Sequence, residues 1–105
     1  VQTCALPISV PGVDAVFVGP NDLSHAMGFA DDWRCDEVQR AITQALTVVS
    51  AAGKCAGTLA LSPDDEERYA VTGARYFATV ATGLITKALR EAALAGGQRT
   101  EPLKY

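Results

Sequence analysis

The chain has 105 residues, enough for one small domain or part of a larger one, and its 49% hydrophobic and 20% charged residues suit a folded, soluble polypeptide. A net charge of −3 without any basic run argues against nucleic acid or an anionic membrane surface as a partner. No apolar run is long enough to span a membrane, and three cysteines (Cys4, Cys35, Cys55) beside one histidine, without CxxC spacing, give no zinc pattern and suggest reduced thiols in a cytoplasmic protein.

The chain does not begin with Met and carries no basic-then-apolar leader, so it reads as truncated and without a secretion signal. Residues 1–8, "VQTCALPI", resemble the peptide obtained when sequencing-adapter DNA is translated. They are set apart as a non-native stretch, leaving 9–95 as the domain and 96–105 as a polar tail.

Asp14 to Val18 reads as a strand ended by Gly19-Pro20. Its apolar residues do not alternate with polar ones, which predicts burial on both faces, as in a parallel sheet covered by helices. Leu23 to Met27 can form one helical turn stopped by Gly28. Asp36 to Ala52 is the clearest helix. Val38, Ala41, Ile42, Ala45, Leu46, Val49 and Ala52 recur at helical steps, acids lead and Gly53 follows.

Cys55 to Leu61 is a second short strand, with Cys55 as a core filler. In "SPDDEERYAVTG", Ser62 caps a helix, Pro63 fills its first position and Asp64 to Glu67 load the positive end of its dipole, on a solvated face. Tyr76 to Val80 is a third strand. Gly83 to Ala95 is a last helix, with Leu84, Ile85, Ala88, Leu89 and Ala92 on one side and Gly96-Gly97 as its stop. Alternating strands and helices imply an α/β fold with a parallel sheet and right-handed crossovers. Three such units do not close a barrel, so raw strand edges predict marginal stability or association.

The chemistry concentrates at "GPNDLS", Gly19 to Ser24. In parallel α/β folds, ligands sit beyond the carboxyl ends of the strands, which is where Asp22 falls. Gly19 permits close backbone approach, Pro20 fixes the turn, and N–H groups from Asn21 onward can face an anion. A carboxylate beside such a site suits a hard divalent cation. The same residues also make an ordinary turn and helix cap, so on residue types alone both readings stand.

The segment "PGVDAVFVGPNDLSHAMGF" resembles "GVDGVFIGPADLS" of the HpcH/HpaI aldolase family, and the likeness continues through "DEVQRAITQAL", "AAGKCAGTLA" and "ERYAVTGARYFA", roughly Val10 to Ala92. The resemblance implies the last three βα units of a (β/α)₈ (TIM) barrel of the phosphoenolpyruvate/pyruvate type. It implies a class II aldolase that cleaves or forms 4-hydroxy-2-oxo acids, such as 4-hydroxy-2-oxoheptanedioate, to pyruvate and an aldehyde. A divalent metal (Mg²⁺, Mn²⁺ or a related ion such as Co²⁺) would bind the oxo acid and offset the charge of its enolate.

Residue by residue, Asp22 matches the metal ligand. Gly19, Pro20 and Asn21 match the loop that approaches the pyruvate carboxylate, although Asn21 stands where Ala or Ser is commoner. The resemblance places the family's His base, its Arg and its second metal carboxylate on upstream strands, so no catalytic residue is visible here. His25 does not match the base. Arg34, Arg40, Arg68 and Arg75 read as solvated, and Lys54 is not a Schiff-base candidate. The family's last strand runs "FVAVGVDTSLL"; here "YFATVATGLIT" lacks the Asp, with Thr82 and Gly83 in place of the turn.

The resemblance further implies a homo-oligomer, a hexamer; Leu84, Ile85, Ala88 and Leu89 of the last helix either meet a neighbouring subunit or cover the barrel, and the sequence does not separate the two. The rivals are a citryl-CoA or malyl-CoA lyase of the same superfamily and a non-catalytic assembly module on the same scaffold.

Overall fold

The computed structural model describes Ile8 and residues 10–96. The stretch set apart as non-native, Ile8 excepted, and the tail beyond Gly96 lie outside the described residues. Chain order is β1 (Ala15–Val18), α1 (Pro20–Ala26), α2 (Asp36–Ala51), β2 (Cys55–Leu59), α3 (Pro63–Ala70), β3 (Tyr76–Ala78) and α4 (Ala81–Ala95). The strands form one parallel sheet in the order β1-β2-β3. Phe17 lies opposite Gly57 and Gly57 opposite Tyr76; Val18 lies opposite Thr58 and Thr58 opposite Phe77.

One sheet face is covered. The α2 stripe puts Val38, Ile42, Leu46 and Val49 fully out of solvent, against Ala56, Tyr69 and Ala74, with Val16, Val18 and Phe77 packed on the cluster. Acids in the first turn and a left-handed Gly53 (φ +78°) bound the helix as its sequence implies. α3 is capped as expected: the Asp65 N–H donates to Ser62 Oγ at 3.2 Å, and Pro63 opens the helix.

The other face is open, which corrects the expectation of two-sided burial. Strand side chains alternate, so Val16 and Val18 turn toward α2 while Phe17, at 45% exposure, turns away. The same parity exposes Cys55, two positions before Gly57 on the open side, so it is not a core filler. Phe17 and Tyr76 meet edge to face across Gly57, ring centroids 5.7 Å apart. A Cβ on Gly57 would lie 2.5 Å from the Tyr76 ring, so this contact exists because residue 57 has no side chain.

The strands are shorter than predicted: β2 ends at Leu59 rather than Leu61, and β3 at Ala78 rather than Val80. The last ladder bond runs from Ala60 N–H to the Ala78 carbonyl at 2.9 Å, after which the chain turns into helices. α4 starts at Ala81, so Thr82 and Gly83 are helical and do not form the expected turn. No α4 residue is buried, and Leu84, Ile85 and Leu89 are each more than half exposed.

Candidate active site

β1 delivers Asp22 to the carboxyl end of the sheet. Thr58 is fully buried, and its hydroxyl donates to the Val18 carbonyl at 2.9 Å, fixing the end of β1 one residue before Gly19. Gly19 is the extended N-cap of α1, and its carbonyl accepts the Leu23 N–H at 3.0 Å. Pro20 is buried at the first helical position, where the missing N–H costs nothing. Asn21 and Asp22 follow on the exposed side of the first turn.

Gly19 lies close against the Asp22 carboxylate. A Cβ there would stand 3.0 Å from Asp22 Oδ2, a tight contact that the exposed carboxylate would have to shift to relieve. On the inner side of α1, Ser24 is fully buried, and its hydroxyl has no partner among the described residues. The helix closes at Gly28 (φ +85°), with the Phe29 N–H on the Ser24 carbonyl at 2.9 Å. His25 Nε2 lies 2.9 Å from Asp31 Oδ1 on the exposed surface and ties the following loop to the helix.

A second polar cluster joins this region to the end of β2, and it corrects the expectation that the acids of α3 are all solvated; Arg34 stays half exposed, as expected of a solvated side chain. Asp65 is 1% exposed. Its two oxygens accept from Arg34 Nη1 and Nη2, each at 3.1 Å, and Oδ2 also accepts the Leu61 N–H at 3.1 Å. Arg34 lies over the Trp33 ring, 4.2 Å from its centroid. Next to it the Tyr69 hydroxyl donates to Gln39 Oε1 at 3.0 Å, Gln39 Nε2 donates to the Trp33 carbonyl at 2.9 Å, and Arg68 Nη1 reaches Gln39 Oε1 at 3.2 Å.

The Arg34 hydrogen bonds hold the Asp65 carboxyl below the usual carboxylate range despite its burial, and the same bonds raise Arg34. Burial pushes the Tyr69 phenol up. The cluster ties the α1–α2 connection to the β2–α3 loop. The Ser62-x-x-Asp65 spacing announced the cap, but nothing local announced Arg34, 31 residues away.

The structure brings Gly19, Pro20, Asn21 and Asp22 together at the strand end. Arg40 and Arg75 are solvent-facing, as expected. Among the described residues, no three His, Cys, Asp or Glu side chains converge on a common point. Asp22 is an exposed hard oxygen donor of the kind Mg²⁺ or Mn²⁺ takes, but it is one donor. The remaining donors would have to come from other parts of the protein or from substrate.

The chain is a parallel α/β unit with an exposed carboxylate on the turn after its first strand. The family model described as "HpcH/HpaI aldolase/citrate lyase" matches residues 4–92, and the chain belongs to that family. It is 48% identical over 87 residues to a hydroxypyruvate/pyruvate aldolase of Delftia acidovorans, a match covering 83% of this chain and 31% of that protein. It is 45% identical over 83 residues to a 2-keto-3-deoxy-L-rhamnonate aldolase of Klebsiella pneumoniae, covering 78% and 31%.

Among solved structures, an HpcH/HpaI aldolase/citrate lyase family protein from Burkholderia cenocepacia superposes with a TM-score of 0.80 at 26% identity, covering 92% of this chain and 38% of that one. The citrate synthase SbnG superposes at 0.71 and 28% identity, covering 86% and 37%. The chain thus spans about a third of the length of the curated relatives it matches. No described helix is long and apolar enough to cross a membrane.

Proposed function

We propose that this chain supplies the last three βα units of a (β/α)₈ barrel whose whole is a divalent-metal-dependent, cytoplasmic, homo-oligomeric aldolase acting on 2-oxo acids. One observation carries the reading: Asp22 stands exposed at the carboxyl end of β1, its carboxylate close against Gly19. The aldolase relatives support the reaction class, cleavage and formation of a bond between a 2-oxo acid such as pyruvate and an aldehyde.

Within this reading Asp22 would hold the cation, Mg²⁺ or Mn²⁺, together with donors from outside this chain. The bound cation supplies the positive charge that carbon–carbon cleavage beside a carbonyl needs. The turn at Gly19 to Asn21 brings backbone close to the oxo-acid carboxylate, with Pro20 fixing its course and Thr58 fixing the strand before it. The Arg34–Asp65 pair ties the two adjoining loops together. The base that takes the substrate hydroxyl proton is not among these residues, since His25 is tied to Asp31 at the surface.

Two measurements test this. The 105-residue chain alone is expected to show no retro-aldol turnover with 4-hydroxy-2-oxo acids, because most of the ligand set is missing; turnover by the purified chain sinks that statement. In the whole protein recovered from the source DNA, Asp22→Ala should lower kcat/KM by about 100-fold or more and weaken Mn²⁺ binding in parallel. Unchanged activity and metal affinity would reject Asp22 as a ligand. A preference for CoA thioesters over free oxo acids would move the enzyme to the citryl-CoA or malyl-CoA lyase class.

A further inference from the structure

The opposite end of the sheet holds a concavity that the lyase reading leaves unused. It encloses about 440 Å³ and is lined by Ser50, Gly53, Lys54, Cys55, Gly73 and Arg75. The carbonyl end of α2, the first residue of β2 and the turn before β3 build it. Because β2 is the middle strand, its base is flanked on both sides by strands that this chain itself supplies.

Charge gives the basin its chemistry, and close packing gives it a wall. Lys54 and Arg75 bring two positive charges to a lining that contains no acid, and neither is in an ion pair among the described residues. The Ser50 hydroxyl is buried and has no hydrogen-bond partner among the described residues. Gly73, left-handed (φ +95°) and bare, forms part of the wall and packs on Ser50: a Cβ there would stand 2.9 Å from Ser50 Oγ.

Two features oppose an anion. The carbonyl end of α2 carries roughly half a negative charge. Its last carbonyls are already engaged, however: Val48 accepts from Ala52, Val49 from Lys54 and Ser50 from Gly53. Asp14 is the nearest acid in the ladder, its backbone carbonyl taking the Cys55 N–H at 3.0 Å, but its side chain does not line the basin. Two full charges outweigh these terms.

We propose that this basin binds a small oxyanion carrying two negative charges, a phosphate or a dicarboxylate, through Lys54 and Arg75. The basin and Asp22 lie at opposite ends of the strands, about 15 Å apart along the sheet, so the anion is not the substrate of the strand-end site. The site stands on its own residues, and its failure would leave the lyase reading untouched.

Cys55, exposed in the wall, is a built-in reporter. In the full chain with Cys4→Ser and Cys35→Ser, Cys55 is the sole thiol, and its alkylation by neutral iodoacetamide is followed. At about 10 mM, inorganic phosphate or malonate should slow the reaction about tenfold if binding is near 1 mM, whereas chloride at equal ionic strength should not. Protection by phosphate alone or by malonate alone names the ligand, and the Lys54→Ala/Arg75→Ala double variant should lose it.

A second measurement needs neither of those substitutions. Iodoacetate, an anion, should react faster relative to iodoacetamide in the folded chain than in urea, by about threefold for a modest local potential. Protection by neither dianion, protection undiminished in the double variant, or a reagent ratio indifferent to folding overturns the proposal.

Discussion

Helices α2 and α4 are written in the same code and meet different fates. Each has an apolar stripe at helical spacing, and each ends near a glycine. α2 lays Val38, Ile42, Leu46 and Val49 on the sheet and loses all solvent there, while α4 keeps Leu84, Ile85 and Leu89 more than half exposed. An amphipathic pattern therefore states that a helix needs a partner, and it does not say whether the same stretch of chain contains one. The two faces of the sheet repeat the lesson, with Val16 and Val18 covered while Phe17 and Tyr76 meet over Gly57 in the open.

The largest way to break this contrast is Leu46→Ala. The side chain is fully buried in the α2 cluster, so its loss should cost about 2–5 kcal/mol and leave the isolated chain largely unfolded in urea titration. A change below about 1 kcal/mol would mean that α2 is not the core of this unit. On the open face, Gly57→Ala should cost about 1–3 kcal/mol, because the new methyl meets the Tyr76 ring and carbonyl. It should also displace the Phe17–Tyr76 pair, visible as a change in near-ultraviolet tyrosine dichroism.

What could be read from the residues follows the range of the interactions. The local punctuation of α2 and α3 was legible: acids at the start, the Ser62 cap, Pro63, and Gly53 past the end. So was the position of Asp22, because a strand ending in Gly-Pro fixes what comes next. The face taken by Cys55 was not, since it depends on register parity across three strands. The Arg34–Asp65 pair was not, because no local rule links a loop arginine to an acid 31 residues away. β3 was overdrawn since β propensity in "RYFATV" continues past the point where its neighbour stops pairing.

The Arg34–Asp65 bolt gives a medium-sized effect with a sign. Arg34→Ala leaves a buried carboxylate with only the Leu61 N–H and the more distant Arg68, at 3.8 Å, and should cost about 1–3 kcal/mol at pH 7. Arg34 depresses the folded pKa of Asp65 below its unfolded value, so the contribution is complete above the ordinary carboxylate range, near 3.9. It is lost as pH falls through the folded value. The stability gap between the native chain and Arg34→Ala should therefore be flat from about pH 5 to 8 and shrink below about pH 4. A gap independent of pH down to 3 would show that Arg34 acts by packing on Trp33 instead.

The smallest expected effect is the most informative about α4. In the isolated 105-residue chain, Leu89→Ala removes a side chain that is 65% exposed and should change monomer stability by less than about 0.5 kcal/mol. The same substitution in the whole protein need not be silent. If the α4 stripe meets another subunit or a part of the barrel outside this chain, the methylenes lost there were buried, at about 0.8 kcal/mol each. Sedimentation and thermal melting of both forms then separate the cases: a drop only in the larger assembly locates the missing partner of α4 outside this segment. A drop of 2 kcal/mol or more in the isolated, monomeric chain would instead mean that α4 folds back on the sheet in solution, and the contrast between the two helices would dissolve.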